Sequence, residues 1–186
     1  MRDPKRVAIL ISGRGSNMRA LVERASNYKV VLVASNRPEA PGLAWARERG
    51  LSTWASESKK VEKQQYDQAL SAALEEHDAG TIALAGFMRI LSPWFVGRWA
   101  GRIVNIHPSL LPKYKGLDTH VRALEAGDAM SGCSVHVVTE ELDAGEVLGQ
   151  AQVAIEPGDT PQTLEQRILA KEHQLYPEVL NWFVSR

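Results

Sequence analysis

Short apolar runs alternate with segments of helical periodicity through the amino-terminal half of the chain, and this alternation constrains the fold more than any other feature. Four runs have the length and composition of buried strands: Val7 to Ile11, Val30 to Ala34, Ile82 to Ala85 and Ile103 to Ile106. Three segments between them have helical spacing: Asn17 to Ala25, Glu39 to Arg49 and Val61 to His77. This order predicts a parallel sheet with right-handed crossovers, the doubly wound α/β class.

The pattern changes in the carboxyl-terminal part of the chain. Gly132 to Thr139 and Val147 to Ile155 are two strand-like runs whose short connection suits antiparallel pairing. Thr160 and Pro161 then form a helix start, with Thr160 as N-cap, and we expect the helix to be broken near Pro177. The sequence therefore predicts a mixed, mostly parallel sheet with helices on both faces, in one domain spanning residues 1–186.

Composition excludes several classes of protein. Lys plus Arg is 22 and Asp plus Glu is 22, so the chain has no excess positive charge for binding nucleic acid or an anionic membrane surface. Cys133 is the single cysteine, and no apolar run approaches the roughly 18 residues needed to cross a bilayer. The start of the chain also lacks the apolar core of a signal peptide. We expect a cytoplasmic protein with no nucleic-acid or membrane partner, and a homodimer is left open.

A polar pair occurs where the fourth apolar run ends. Asn105 and His107 are two residues apart, so they should project from the same face of a strand. Pro108 favours an extended backbone at His107, and an open α/β sheet carries its ligand crevice where the strands end. An amide and an imidazole side by side are two donors for an oxygen that becomes negative in a transition state. The pair therefore indicates acyl-transfer chemistry.

A glycine-rich loop (residues 12–17, Ser-Gly-Arg-Gly-Ser-Asn) directly follows the first strand and opens a helix. Glycines let the backbone approach an anion, and the free amides of a helix start point toward it. The spacing is neither the dinucleotide fingerprint nor a Walker A loop. Taken alone, the loop suits a ligand-free tight turn as well as a monophosphate site, but its place at the carboxyl end of the first strand favours phosphate binding.

Two acids are further candidates. Asp143 lies in the loop between the two late strands, where an acid is usually a solvated turn residue. If the loop folds over the sheet edge, Asp143 would approach His107, orient it and favour its charged form. Glu172 shares a helical stripe with Leu169 and Tyr176, and such an acid either lies at the edge of the core or binds a cationic group. The residues alone favour the edge interpretation.

Four motifs, in this order along the chain, resemble those of the folate-dependent phosphoribosylglycinamide formyltransferases. They are the glycine-rich loop, residues 84–93 (Leu-Ala-Gly-Phe-Met-Arg-Ile-Leu-Ser-Pro), residues 105–114 (Asn-Ile-His-Pro-Ser-Leu-Leu-Pro-Lys-Tyr) and residues 142–145 (Leu-Asp-Ala-Gly). The resemblance covers the chain from about Val7 to Phe183 and implies a Rossmann-like formyltransferase fold.

The resemblance also implies roles for particular residues. Asn105, His107 and Asp143 correspond to the catalytic trio. The phosphoribosylglycinamide site would comprise Gly15, Ser16 and Asn17, which contact its phosphate, and Glu172, which contacts its glycinamide part. The 10-formyltetrahydrofolate site would comprise Asn105 and the following residues: Lys63, Met88, Arg89, Ile90, Leu91, Thr139, Glu140, Glu141 and Leu142.

The reaction implied is transfer of a formyl group from the folate to the amine of phosphoribosylglycinamide, in purine synthesis. Asn105 and protonated His107 would stabilise the oxygen of the tetrahedral species. Asp143 would keep His107 protonated and help to move the proton from the amine to the folate nitrogen. No metal is expected, because the five histidines have no ligand-like spacing.

Other functions remain as alternatives at this point. Methionyl-tRNA formyltransferases resemble the same core, but they require a tRNA-binding domain and a basic surface. Formyltetrahydrofolate deformylases resemble it behind an amino-terminal regulatory domain, for which the loop starting at residue 12 leaves no room. A silent nucleotide- or folate-binding module is disfavoured because Asn105, His107 and Asp143 are all present.

Overall fold

Strands and helices alternate along residues 2–57 and 61–186, which are the residues described by the computed structural model. The strands are β1 (Arg6–Ile11), β2 (Lys29–Ser35), β3 (Thr53–Ala55), β4 (Thr81–Leu84), β5 (Ile103–His107), β6 (Met130–Val137) and β7 (Val147–Ala154). The helices are α1 (Ser16–Glu23), α2 (Pro41–Glu48), α3 (Lys63–Glu76), α4 (Pro93–Arg98), α5 (Thr119–Glu125) and α6 (Pro161–Phe183).

The strands form one sheet in the order β3-β2-β1-β4-β5-β6-β7. The pairs from β3 to β5 are parallel, and the two pairs that join β5, β6 and β7 are antiparallel. The mixed, mostly parallel sheet predicted from the sequence is therefore confirmed. The chain leaves β1 toward one edge of the sheet and returns beside it as β4, so the crevice of a doubly wound sheet lies between the ends of β1 and β4.

Alternation along the strands builds a core on each face of the sheet. In β1, Val7, Ile9 and Ile11 face α1, α2 and α6, whereas Ala8 and Leu10 face α3 and α4. All five side chains are fully buried, as expected for a central parallel strand covered on both faces. The apolar composition of the early runs follows directly from this double burial.

Three short elements lie outside the sequence prediction: β3, α4 and α5. Each is too short to show a clear period, so local pattern does not reveal it. Their structure comes from neighbours; β3, for example, is an edge strand paired with β2 from Val33 to Ser35.

The predicted break near Pro177 is wrong, because α6 continues through this residue to Phe183. A proline inside a helix costs about 3 kcal/mol through its missing N–H and its ring. Here Pro177 is buried between Tyr176 and Val179, which are also buried, so packing against the sheet holds both halves of the helix in line. The predicted N-cap is confirmed: Thr160 Oγ1 accepts from Thr163 N at 3.2 Å.

Candidate active site

The predicted site residues converge near the carboxyl ends of β1, β4 and β5. The glycine-rich loop follows β1, Met88 lies four residues after β4, and Asn105 and His107 lie within β5. A cavity of about 510 Å³ extends from Ser12 and Gly13 to Gly86 and Met88. Two loops that the sequence singled out, the glycine-rich loop and the loop after β4, therefore line this crevice, together with four residues that it did not: Asn36, Arg37, Glu39 and Glu57.

Asn105 and His107 share one face of β5, as strand alternation predicts. Ile103, on the same face, is buried against α3 and α4. His107 Nδ1 lies 3.5 Å from Asp143 Oδ2, and its Nε2 lies 2.9 Å from the carbonyl oxygen of Tyr114. Imidazole donates from both nitrogens only when it is protonated, so an acceptor beside each nitrogen suits the charged form of the ring.

Asp143 is a buried partner of histidine, and the alternative of a solvated turn residue is wrong. Its side chain is only 9% exposed because the loop after β6 folds back over the face of β5 that carries His107. Asp143 Oδ2 also accepts a hydrogen bond from Gly116 N at 2.9 Å. The backbone of Asp143 is left-handed, with φ of 48°, which directs the carboxylate inward from the loop.

His136 is a site residue that the sequence analysis did not identify. It pairs directly opposite Asn105 across β5 and β6, and Asn105 Nδ2 lies 3.2 Å from its Nε2. Its Nδ1 lies 3.0 Å from the carbonyl oxygen of Val137, and burial lowers the pKa of His136. A neutral ring that donates from Nδ1 accepts from Asn105 at Nε2 and so orients the amide. Only the antiparallel register reveals this pairing.

The glycine-rich loop is held by backbone contacts. Gly15 is the N-cap of α1 with φ of 71°, a left-handed conformation that glycine adopts without strain. From the neighbouring helix, Gly42 N donates to Gly13 O at 3.1 Å. A Cβ at Gly42 would meet Gly13 O at 3.0 Å and collide with Ile11, so glycine allows α2 to support the loop closely.

Asn17 and Glu172 form a buried polar pair beside this loop. Asn17 Nδ2 donates to Glu172 Oε2 at 2.7 Å, which joins the start of α1 to α6. Glu172 is 7% exposed, so the interpretation that it lies at the edge of the core is wrong. Burial raises its pKa to about 7. Asn17 Oδ1 is also buried and has no hydrogen-bond partner among the described residues. Within the described chain, Asn17 Oδ1 is therefore a buried acceptor without a donor, next to the buried carboxyl of Glu172.

The residues expected to enclose folate form two irregular segments. In the first segment (residues 88–91), Met88 and Ile90 are exposed, Leu91 is buried in the core, and Arg89 lies over the ring of Tyr66 at 4.5 Å. In the second segment (residues 139–142), Leu142 is exposed, and the other three residues are Thr139, Glu140 and Glu141.

Lys63 is the exposed first residue of α3, whereas Tyr66, three positions further on, is fully buried and contacts Arg89 of the first segment. The role of Lys63 in folate binding stays a prediction.

Within residues 2–57 and 61–186, no group of three or more His, Cys, Asp or Glu side chains is arranged to hold a metal ion. None of the helices in these two ranges has the length and apolar character required to span a membrane.

Known proteins share both the sequence and the fold. A family model described as formyl transferase matches residues 5–180. The chain is 44% identical to phosphoribosylglycinamide formyltransferase of Escherichia coli (strain K12), covering 96% of this chain and 87% of that protein. It is 42% identical to the trifunctional purine biosynthetic protein adenosine-3 of Bos taurus, covering 97% of this chain but 18% of that longer protein. The crystal structure of phosphoribosylglycinamide formyltransferase from Brucella melitensis aligns with a TM-score of 0.92 at 46% identity, covering 98% of this chain and 96% of that one.

Proposed function

This chain belongs to the formyl transferase family, and we propose that it transfers the formyl group of 10-formyltetrahydrofolate to the amine of 5-phosphoribosylglycinamide, a step of purine biosynthesis. The observation that carries the proposal is the juxtaposition of Asn105, His107 and Asp143 at the end of β5, with His107 Nδ1 3.5 Å from the carboxylate. These side chains supply two donors for a developing oxyanion and an acid that holds the charged imidazole.

The acceptor substrate matches the polar groups beside α1. Its phosphate suits the amides at the start of α1, after Gly15, where the helix dipole favours an anion. Its glycinamide amine would donate to Asn17 Oδ1 and to Glu172, the two buried acceptors described above. A charged amine would also favour the ionised form of Glu172 over the protonated form that burial favours.

The donor substrate matches exposed apolar side chains of the two segments. Met88, which lines the cavity, Ile90, and Leu142, which directly precedes Asp143, are large and exposed, and an aromatic ring system would remove them from water. Lys63 would provide a positive charge for the carboxylates at the far end of the folate. This arrangement would direct the formyl group, which is bonded to N10, toward Asn105 and His107.

In the proposed mechanism, the ammonium form of the amine first gives one proton to the Glu172 carboxylate. The neutral amine nitrogen then attacks the formyl carbon, and the carbonyl electron pair moves to oxygen. The second N–H of Asn105 would donate to this oxygen while the first holds His136. His107 Nε2–H would exchange the Tyr114 carbonyl for the same oxygen, with Nδ1 still facing Asp143. The bond from carbon to N10 then breaks, and the proton lost by the amine passes to N10 by way of Asp143 and water.

The acceptor specificity tests this function directly. Purified protein would be mixed with 10-formyltetrahydrofolate and one of three acceptors: phosphoribosylglycinamide, water alone, or charged methionyl-tRNA. We expect tetrahydrofolate to form only with phosphoribosylglycinamide. Formation of tetrahydrofolate in water alone would instead identify a deformylase, and formylation of the tRNA would identify a methionyl-tRNA formyltransferase.

A further inference from the structure

Ser12 connects three loops of the site through one buried hydroxyl. It directly follows β1 and is almost fully buried. Its Oγ donates to Asn36 Oδ1 at 2.6 Å, and Asn36 is the first residue after β2. The same oxygen accepts from Met88 N at 2.8 Å, and Met88 belongs to the loop after β4. The hydroxyl thus bridges the ends of β1, β2 and β4 at the crevice.

In these two hydrogen bonds, Ser12 Oγ is the donor to Asn36 and the acceptor from Met88. A serine hydroxyl has a single proton, which here is given to the amide oxygen of Asn36. The lone pairs of Oγ are then directed away from Asn36, and one of them accepts the Met88 N–H. Asn36 therefore fixes the rotation of the hydroxyl, and the hydroxyl in turn fixes the backbone of Met88.

The backbone that this bond holds has no regular secondary structure. Residues 85–92 lie between β4 and α4, and their two ends are held by Ala85 N on Leu10 O and by Ser92 N on Asp67 Oδ2. The bond from Met88 N to Ser12 lies between these two anchors. The side chains of Met88 and Ile90 in this stretch are exposed, so the backbone sets their position.

We propose that Ser12 is a positioning residue that fixes the folate-binding segment, residues 88–91, against the end of β1. This inference rests on the proposed function, because it assigns Met88 and Ile90 to the folate site. Ser12 itself does not touch the reacting atoms. Its effect is to set the distance between the apolar surface that receives the donor and the loop that receives the acceptor phosphate.

Ser12→Ala tests the proposal by separating the two substrates. The substitution leaves the Met88 N–H without its acceptor but keeps the amides of the glycine-rich loop. We expect KM for 10-formyltetrahydrofolate to rise about tenfold, because without the bond the segment would hold its binding position in only about a tenth of the molecules. KM for phosphoribosylglycinamide and kcat should stay within about twofold. Direct calorimetric titration with tetrahydrofolate, which carries no formyl group, should show the same tenfold loss of affinity.

The matched control is Ser71→Ala on α3. Ser71 is equally buried, and its Oγ accepts from Trp99 Nε1 at 3.1 Å, away from the cavity. Both variants should lose thermal stability, but only Ser12→Ala should raise KM for the folate. A simple structural role would give the two variants the same kinetic profile.

A second variant guards against a poorly folded Ser12→Ala protein. Asn36→Ala leaves the hydroxyl of Ser12 in place but frees its rotation, so KM for the folate should rise by a smaller factor. The double variant should be no worse than Ser12→Ala alone, because both act through one bond.

Unchanged folate affinity in both single variants, or equal losses for the two substrates, would overturn the positioning role. Absence of formyl transfer by the unmodified protein would instead overturn the proposed function, so the two failures are distinguishable.

Discussion

The two buried acids of the site, Asp143 and Glu172, differ in how burial is compensated. Asp143 Oδ2 has two donors beside it, the ring of His107 and the backbone N–H of Gly116. Glu172 has Asn17 as its hydrogen-bond donor, and this bond lowers its pKa less than burial raises it. Asp143 is therefore suited to hold a neighbouring positive charge, whereas Glu172 is suited to receive one from a ligand.

Glu172 should make the stability of the free protein depend on pH. Burial raises its pKa from the ordinary 4.5 to about 7, so the folded chain binds this proton more tightly than the unfolded chain. The free energy of unfolding should then decrease as pH rises from about 4.5 to 7, by on the order of 3 kcal/mol from this group. Glu172→Gln should remove that decrease, as measured by urea unfolding across this pH range.

Glu178→Gln provides the control for this measurement. Glu178 lies on the same helix, α6, but is exposed. Its substitution should leave the pH dependence of unfolding as in the unmodified protein. If Glu172→Gln also retains the full decrease, the stability effect assigned to its burial is wrong.

His107→Ala should separate substrate binding from chemistry. The imidazole is expected to donate to the oxyanion and to contribute nothing to the phosphate site, so phosphoribosylglycinamide should bind as before. Loss of one such donor lowers kcat by about 100-fold or more. Single-turnover formyl transfer and calorimetric titration would measure the two effects.

His77→Ala is the matched histidine variant for this experiment, because His77 lies at the carboxyl end of α3, outside the candidate site. It should keep normal kcat. Normal turnover by His107→Ala would remove His107 from the proposed mechanism.

At the level of elements, the loop between β6 and β7 determines whether the trio assembles. Val137 ends β6, and the next residues leave the sheet and return to β7 at Val147. Gly145 packs directly on the carbonyl oxygen of Val137, where no side chain fits. This close backbone contact closes the loop and turns Asp143 toward His107.

Gly145→Ala should therefore displace the loop and reduce activity. The added methyl would lie far inside van der Waals contact with Val137 O, so the backbone must move. We expect a loss of about 1 to 3 kcal/mol in the free energy of unfolding, as for other overpacked sites. kcat/KM should fall about tenfold or more, because small displacements of catalytic groups are costly. Both quantities can be measured on the same preparation.

Gly97→Ala, within α4, is the corresponding control. A Cβ at Gly97 would have open space around it, and alanine in a helix is more stable than glycine by about 0.5 to 1 kcal/mol. This variant should retain activity and gain slight stability. Equal behaviour of the two variants would show that the contact at Gly145 does not hold Asp143.

At the level of the whole molecule, α6 connects β4, β5 and α1 near the site. The single Oη–H of Tyr176 is shared between two carbonyl oxygens, that of Leu84 at the carboxyl end of β4 (3.0 Å) and that of Val104 in β5 (3.1 Å). Glu172 lies one turn earlier on the same helix and reaches Asn17 on α1. The long carboxyl-terminal helix therefore fixes the positions of three elements that carry site residues.

Tyr176→Phe tests this arrangement. It removes a buried hydroxyl that lies between two carbonyls, so the free energy of unfolding should fall by about 1 to 2 kcal/mol. The next residue after Val104 is Asn105, so kcat should also fall severalfold.

The comparison is Tyr28→Phe, which removes a buried hydroxyl bonded to Leu21 O within one face of the molecule. It should lower stability similarly with kcat unchanged; the same kcat in both variants would argue against a role of α6 in positioning Asn105.

Much of the architecture follows from local sequence pattern. The apolar runs predict β1, β2, β4 and β5 because central parallel strands are buried on both faces and so are apolar throughout. The alternation of a strand is equally local, which is why Asn105 and His107 were expected on one face. Thr160 and Pro161 predict the start of α6 for a similarly local reason, since capping involves residues within one turn.

What the sequence by itself determined is therefore the order of elements, the face of β5 that carries the polar pair, and the motifs of the family. Tertiary structure decided the partners: His136 opposite Asn105, Asp143 beside His107, Glu172 against Asn17, and an unbroken α6 across Pro177. The physical reason is the separation along the chain between the residues that interact. Periodicity and capping depend on neighbours along the chain, whereas register across antiparallel strands, the return of a loop and the burial of a carboxyl depend on residues far apart in sequence that only packing brings together.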